Sequence, residues 1–368
     1  MTKMSKTVVV KVGTSSITNM DGEISQESVA KICSEVAELK SSRNNVVIVT
    51  SGAIAAGLPF LGLTGDSRPQ DPSTLQAISA IGQGSLIGTY REELSKHALL
   101  AGQVLLAPLD FFVRSQYLHA RNTLMRLIEL GVVPVVNEND AIADDEIRFG
   151  DNDRIAALVA HLVEADMLVL LTDTSGLFTA DPRMDSEASL IEEIIEIDQE
   201  MERYAGGSSS DLGSGGMASK LAAAKIASWS GVRTVIADAS RVDILKDACN
   251  EVNGIGTVVH PRDTRLNARK LWIAFAVGSR GQIMVDNGAR KALEGSASLL
   301  PTGVLKSEGD FEIGDAVEIT DENSKIFAKG IVRQNSEDVV LNLGLKTSEL
   351  PEGISHEVIH TDDLVILP

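Results

Sequence analysis

Three polar intrusions into apolar sequence carry the chemistry. Lys11 follows three valines in TVVVKVG (residues 7–13), a run whose composition otherwise suits a strand buried on both faces. Burying an unpaired ammonium costs several kcal/mol, so Lys11 must either snorkel to water or meet an anion, and Gly13 and Thr14 directly after it favour the anion. The second intrusion is GSGGMASKLAAAKIA (residues 213–227), three glycines ahead of an Ala-rich helix whose first turns carry Ser219 and Lys220. A helix start offers free N–H groups and a positive dipole end, and a lysine adds charge, so this segment suits a phosphate. It equally suits a flexible loop ahead of a surface helix, and it is not a Walker loop, since no GxxxxGK[ST] occurs.

The third is NENDAIADDEIRFGDND (residues 137–153), where seven carboxylates stand against one arginine. Asp144, Asp145 and Glu146 read as a solvated loop. Asp140 closes an apolar strand, and Asp151, Asn152 and Asp153 open an apolar helix, where one of them suffices as a cap. The others are available to bind a cationic group or to orient lysines. Thr50, Ser51 and Gly52 end another apolar run with small hydroxyls and open backbone N–H groups, a pattern shared with many ordinary strand ends. Two lysines, a Gly-rich loop and carboxylates at one sheet edge fit transfer of a phosphoryl group, where catalysis is mostly positioning and charge neutralisation. The acceptor attacks directly, so the reaction needs no Ser/His or Cys/His dyad.

The elements that must position these groups are legible as short apolar runs alternating with helical spacing. Runs at residues 7–13, 46–52, 104–109, 132–140, 167–173 and 233–238 predict parallel strands; residues 27–41, 73–98, 116–131 and 152–166 predict helices. That alternation predicts an α/β domain over residues 1–262, a mostly parallel sheet sandwiched between helices, with ligands beyond the carboxyl ends of the strands. Thr172 and Asp173 stand at such an end. After Pro261 a charged connector, PRDTRLNARK, leads to short alternating runs with Gly-marked turns, including QIMVDN, AVEITDE, KIFAKGIVR and DVVLNLG. These predict a second, small β-barrel-like domain over residues 275–368.

Composition removes several alternatives. The 368 residues carry 33 Lys and Arg against 52 Asp and Glu, a net charge of −19 that repels nucleic-acid backbones and anionic lipid. Cys33 and Cys249 stand far apart, and the six histidines form no HExxH-like cluster, so neither a disulfide framework nor a protein-held metal is expected. The amino-terminal apolar run is short and cut by Lys11, and no run approaches the ~20 residues that span a bilayer, so a cytoplasmic location without membrane contact is expected.

In order along residues 7–260, VVVKVGTSSIT, VIVTSGAIAAG, VPVVNENDAIA, GDND, LLTDTSGLFTADPR and GSGGMASK resemble the glutamate 5-kinase family of the amino acid kinase fold. The combination separates it from the acetylglutamate, aspartate, carbamate and uridylate kinases that share the fold. The tail, with GQIMVDNGARKALEGSASLLPTGV and FEIGDAVEI, resembles the PUA domain that many bacterial members append. The resemblance implies phosphorylation of the side-chain carboxylate of L-glutamate by ATP, the first step of proline synthesis, with Mg²⁺ arriving on the nucleotide. It implies that Lys11 and Lys220 neutralise the transferring group, that Asp153 holds both ammonium groups, and that Ser51, Asp140 and Asn152 bind glutamate. Thr172 and Asp173 would lie by the nucleotide, and Ser214, Gly215, Gly216, Met217, Ala218, Ser219 and Lys220 would wrap its phosphates. Serine stands where threonine is more usual at Ser214 and near Ser219, and keeps the hydroxyl. Expected with it are a homo-oligomer, proline as a feedback inhibitor and handover of product to glutamyl phosphate reductase. Two rivals remain: a sister kinase acting on another carboxylate, and a PUA-mediated RNA-binding protein. Against the second, residues 271–368 hold 8 Lys and Arg and 16 Asp and Glu, the wrong sign for a phosphate footprint.

Overall fold

The computed structural model describes residues 5–63, 67–111, 113–142, 152–206, 216–263, 265–275, 277–351 and 353–367. The chain divides into two compact units, one running to Arg265 and the other starting at Leu266. No described helix is long and apolar enough to cross a membrane.

Valine-rich runs without polar alternation become the strands of an eight-stranded sheet in the first unit. These are β1 (Thr7–Val12), β2 (Asn45–Thr50), β3 (Ala101–Leu106), β4 (Val133–Glu138), β5 (Met167–Thr172), β6 (Glu193–Ile194), β7 (Arg233–Asp238) and β8 (Thr257–Val259). Their order is β3-β4-β2-β1-β5-β7-β8-β6, and every neighbouring pair is parallel except β7 with β8. β1 runs between β2 and β5, with Lys11 level with Val49 on one side and Leu170 on the other. The three strands therefore end together, beside the point where the strand order reverses, which is where parallel sheets open a crevice for ligands. β6 and β8 had no counterpart among the predicted runs; two or three residues are too few to show a period.

The helices are α1 (Thr14–Ile17), α2 (Gln26–Ser41), α3 (Ala53–Gly57), α4 (Pro72–Ser95), α5 (Arg114–Glu129), α6 (Asn152–Leu162), α7 (Gln199–Gly206), α8 (Met217–Trp229) and α9 (Ile244–Cys249). Ser25 caps α2 by accepting from Ser28 N, and Asp71 caps α4 by accepting from Thr74 N. Successive side chains of β1 alternate between faces. Val8, Val10 and Val12 join a core with Val29, Ile32 and Val36 of α2 and Leu86, Tyr90 and Leu94 of α4. Lys11 has the opposite parity, and α6 also packs on β1. α6 is buried nearly all round, through Ile155, Ala156, Leu158 and Val159, so its first turn is fixed over the end of β1.

The second unit contains α10 (Ala268–Phe275), α11 (Asn287–Glu294), α12 (Ser336–Leu341) and a five-stranded sheet. Its strands, β9 (Ser279–Val285), β10 (Val304–Gly309), β11 (Ala316–Thr320), β12 (Ile326–Val332) and β13 (Ile359–Ile366), lie in the order β10-β9-β11-β12-β13. β9 pairs with β11 in parallel and the other pairs are antiparallel, around Ile283, Phe311, Val317, Ile319 and Phe327. One predicted strand is corrected: the first residues of DVVLNLG belong to α12. Asn335 accepts from Asp338 N, and Glu337 and Asp338 occupy the first turn, so cap and dipole override the β-branched composition of two valines.

Candidate active site

The end of β1, the start of α6 and the first turns of α8 bring three charges together. Asp153, fully buried, lies with Oδ1 2.5 Å from Lys11 Nζ and Oδ2 3.3 Å from Lys220 Nζ. Ser219 donates its hydroxyl to Asp153 Oδ2 at 2.7 Å. Lys220 is itself buried and is held by the same carboxylate. Burial alone would raise the Asp153 pKa; the ammonium charges of Lys11 and Lys220, with hydrogen bonds from Lys11 and Ser219, outweigh it and hold the carboxyl below its ordinary value. Within this triad two positive charges meet one negative charge at the strand ends.

Asn152 is the first residue of α6 and half-buried. Its Nδ2 donates to Ser51 Oγ at 3.1 Å and its Oδ1 accepts from Glu138 N at 3.3 Å, bridging the ends of β2 and β4. Ser51 is held in turn by its own N–H, which donates to Val12 O. Gly52 then turns the chain into α3 with φ at 105°, a left-handed conformation that a side chain would strain, and a Cβ there would lie 3.0 Å from Ile17 Cδ1. Asp140 opens the turn after β4 and accepts from Ser79 Oγ of α4 at 2.6 Å. Burial raises the Asp140 pKa, and the Ser79 hydrogen bond opposes that shift only in part.

On the other side of β1, Thr172 ends β5, donating its hydroxyl to Asp173 Oδ1 at 3.1 Å and its carbonyl accepting from Ala239 N after β7. Thr172 is buried and Asp173 exposed. Gly216 stands at the N-cap of α8 with no side-chain cap, so the N–H groups of Met217 and Ala218 and the positive helix end lie beside Lys220. Ser214 and Gly215, with Asp144, Asp145, Glu146 and Asp151, fall outside the described residues.

Two groups of residues thus gather at one sheet edge. Lys11, Asp153, Lys220 and Ser219 form a charged centre, and Ser51, Asn152 and Asp140 form a polar shelf on the β2–β4 side, joined to the centre through the consecutive residues Asn152 and Asp153. Sequence reasoning missed the layer behind the shelf. Gln83 Oε1 accepts from Asn137 Nδ2 at 2.8 Å, and Tyr90 shares a buried 2.9 Å hydrogen bond with Thr50 Oγ1. The signal that could have found these partners is the four-residue spacing of Ser79 and Gln83, on the face of α4 that also carries Leu86 and Tyr90.

Known proteins match the chain along both units. The model of the amino acid kinase family matches residues 6–238, and that of the PUA domain residues 281–354. Glutamate 5-kinase from Caldanaerobacter subterraneus subsp. tengcongensis is 42% identical over 365 residues, covering 98% of this chain and 97% of its own. Glutamate 5-kinase from Dehalococcoides mccartyi is 44% identical over 370 residues, covering 98% of each chain. The solved carbamate kinase from Giardia lamblia bound to AMP-PNP covers 71% of this chain and 100% of its own, with a TM-score of 0.51 at 19% identity, a likeness of fold. With relatives this similar along both units, the chain belongs to the glutamate 5-kinase family, and it joins an amino acid kinase domain to a PUA domain.

Proposed function

We propose that the chain transfers the γ-phosphoryl group of ATP to the side-chain carboxylate of L-glutamate, giving L-glutamyl 5-phosphate and ADP, the first step of proline synthesis. The observation that carries this reading is the buried Lys11–Asp153–Lys220 triad at the strand ends, in a chain 42% identical to a glutamate 5-kinase over nearly its whole length. A carboxylate oxygen of glutamate forms the new bond to phosphorus while the bond from phosphorus to the β,γ-bridging oxygen breaks. The acceptor is already ionised at neutral pH, so no proton need move.

Charge spreads over the phosphoryl oxygens in such a transfer, and Lys11 and Lys220 neutralise it. Asp153 keeps both ammonium groups in place, so little reorganisation is needed when the charge develops. Ser51, Asn152 and Asp140 take glutamate, with Asp140 facing its α-ammonium group. Thr172 and Asp173 lie by the nucleotide, and residues 214–220 hold its phosphates, Met217 to Lys220 from the start of α8, which has no side-chain cap. The central carboxylate is taken up by two lysines, so Mg²⁺ would arrive on ATP rather than be held by Asp153. The ion supplies further charge neutralisation on the phosphates.

A cytoplasmic enzyme, a homo-oligomer, inhibition by proline and delivery of the acyl phosphate to glutamyl phosphate reductase belong to the same reading. The product is a mixed anhydride that water destroys, which favours prompt consumption. Residues 1–262 form the catalytic domain and residues 275–368 the PUA-like domain. The test is a hydroxylamine trap: with MgATP and a panel of amino acids and carboxylates, L-glutamate gives the hydroxamate, and a different best acceptor would reassign the enzyme to a sister kinase.

A further inference from the structure

Three polar side chains on one face of α4 each hold a residue at the acceptor side of the sheet edge. Ser79, Gln83 and Tyr90 are four and seven residues apart, a single stripe about 16 Å long on a helix rising 1.5 Å per residue. Ser79 Oγ donates to Asp140 Oδ2 at 2.6 Å, Gln83 Oε1 accepts from Asn137 Nδ2 at 2.8 Å, and the Tyr90 hydroxyl lies 2.9 Å from Thr50 Oγ1, next to Ser51. Ser79, Tyr90, Thr50 and Asn137 are all buried, where an unmade hydrogen bond is expensive, so each pairing fixes an orientation. Asn137 Oδ1 is buried and has no hydrogen-bond partner among the described residues, so its amide is turned by the bond to Gln83.

The helix itself is locked in place by backbone contact. A Cβ on Gly82 would lie 2.0 Å from Ala53 O and 2.3 Å from Gly57 N, and one on Gly57 would lie 2.2 Å from Ile78 O. No side chain fits between α3 and α4 at that point, and α3 starts two residues after Ser51. The distance from α4 to the shelf is therefore set by the same contact that sets the end of β2.

We infer that α4 is the positioning element for the acceptor amino acid, with Ser79 and Gln83 as positioning residues that act through Asp140 and Asn137. The inference rests on the assignment of Asp140 to the acceptor given above. Since the stripe contacts the β2–β4 side, away from β5 and α8, its removal acts on the acceptor and leaves the nucleotide alone.

Steady-state kinetics of the full chain, with glutamate and ATP varied in turn, tests this with Ser79→Ala, Ser79→Thr, Gln83→Met and Asp140→Ala. Each of Ser79→Ala and Gln83→Met loses one hydrogen bond, and KM for glutamate rises about 3- to 10-fold with KM for ATP and kcat nearly kept. Ser79→Thr keeps a hydroxyl and restores the KM. Half-buried Gln83 tolerates replacement by a side chain of similar volume, so it reports even where a Ser79 variant folds poorly. Raised KM in Asp140→Ala with wild-type KM in both Ser79→Ala and Gln83→Met overturns the role of α4 alone. Unchanged glutamate KM in Asp140→Ala overturns the acceptor assignment and this inference with it, and an equal rise in both KM values marks the stripe as merely structural.

Discussion

Lys11 Nζ and Asp153 Oδ1 stand 2.5 Å apart with side chains 4% and 0% exposed, so a strand end and a helix start are joined by an ion pair sealed from water. Such a pair gains little stability over well-packed apolar side chains, because desolvation consumes most of the attraction. Lys220 joins the same carboxylate from a third element, α8. Under the proposed function the arrangement serves charge that grows on a ligand during reaction, which the two ammonium groups would meet already in position.

Loss of either lysine therefore acts on turnover. Lys11→Ala and Lys220→Ala each lower kcat by roughly 10²-fold or more, the scale of removing one preorganised donor to a transition state. Stopped assays on variants with wild-type circular dichroism measure this, and a near-normal kcat would remove that lysine from the chemistry.

Asp153 couples the same site to stability. Its folded pKa is lowered from an ordinary 3.8, so its contribution is fully present above that value and is lost as pH falls through the lower folded one. Asp153→Asn leaves two buried ammonium groups without their anion and costs about 3 to 5 kcal/mol at neutral pH. Urea titrations at a series of pH values should show the gap between the two proteins narrowing only below pH 3.8. A gap unchanged to the lowest pH would mean that the carboxylate's charge does not hold the triad.

Asp140 has its pKa shifted the other way, raised by burial. In the proposed function its charged form holds the acceptor's ammonium group, so kcat/KM for glutamate falls as pH drops through a value raised above the ordinary 3.8. Asp140→Ala raises KM for glutamate far more than KM for ATP, since a buried charge loses its partner, and it flattens that acid limb. Equal effects on both substrates would point to a collapsed loop.

The proposed function predicts that the second unit is dispensable for the chemistry. All the assigned residues precede Leu221, and a chain ending at Thr264 keeps glutamate-dependent ATP turnover. The balance of −8 over residues 271–368 also predicts that the full chain shows no salt-dependent RNA binding at micromolar concentration. Loss of all turnover in a soluble, folded truncation, or RNA affinity that weakens with salt, would contradict the respective half.

The central strands and charged centre were legible in the sequence because they violate a local rule. A lysine after three valines and carboxylates opening an apolar helix both need a partner, and the structure supplies each to the other. Asn152 was legible as a polar helix start, yet its bridge from Ser51 to Glu138 N depends on how β2 and β4 end, which no local pattern encodes. The α4 stripe was hidden for a related reason: Ser79 and Gln83 sit within an ordinary Gly- and Ser-containing helix, and only the close approach at Gly57 and Gly82 turns them toward the shelf. In the second unit, the paired valines of DVVLNLG favoured a strand, and the Asn335 cap decided for a helix.

Direct transfer to the glutamate side chain is tested most sharply by isotope. L-glutamate carrying ¹⁸O in both side-chain carboxylate oxygens is turned over with MgATP and hydroxylamine, and the phosphate released is read by mass or by its ³¹P shift. Hydroxylamine attacks the carbonyl carbon of the acyl phosphate, so the former acceptor oxygen leaves with the phosphate. The predicted result is one ¹⁸O in phosphate for each hydroxamate formed. Phosphate free of ¹⁸O, or ATP consumed without hydroxamate, would contradict phosphoryl transfer to that carboxylate.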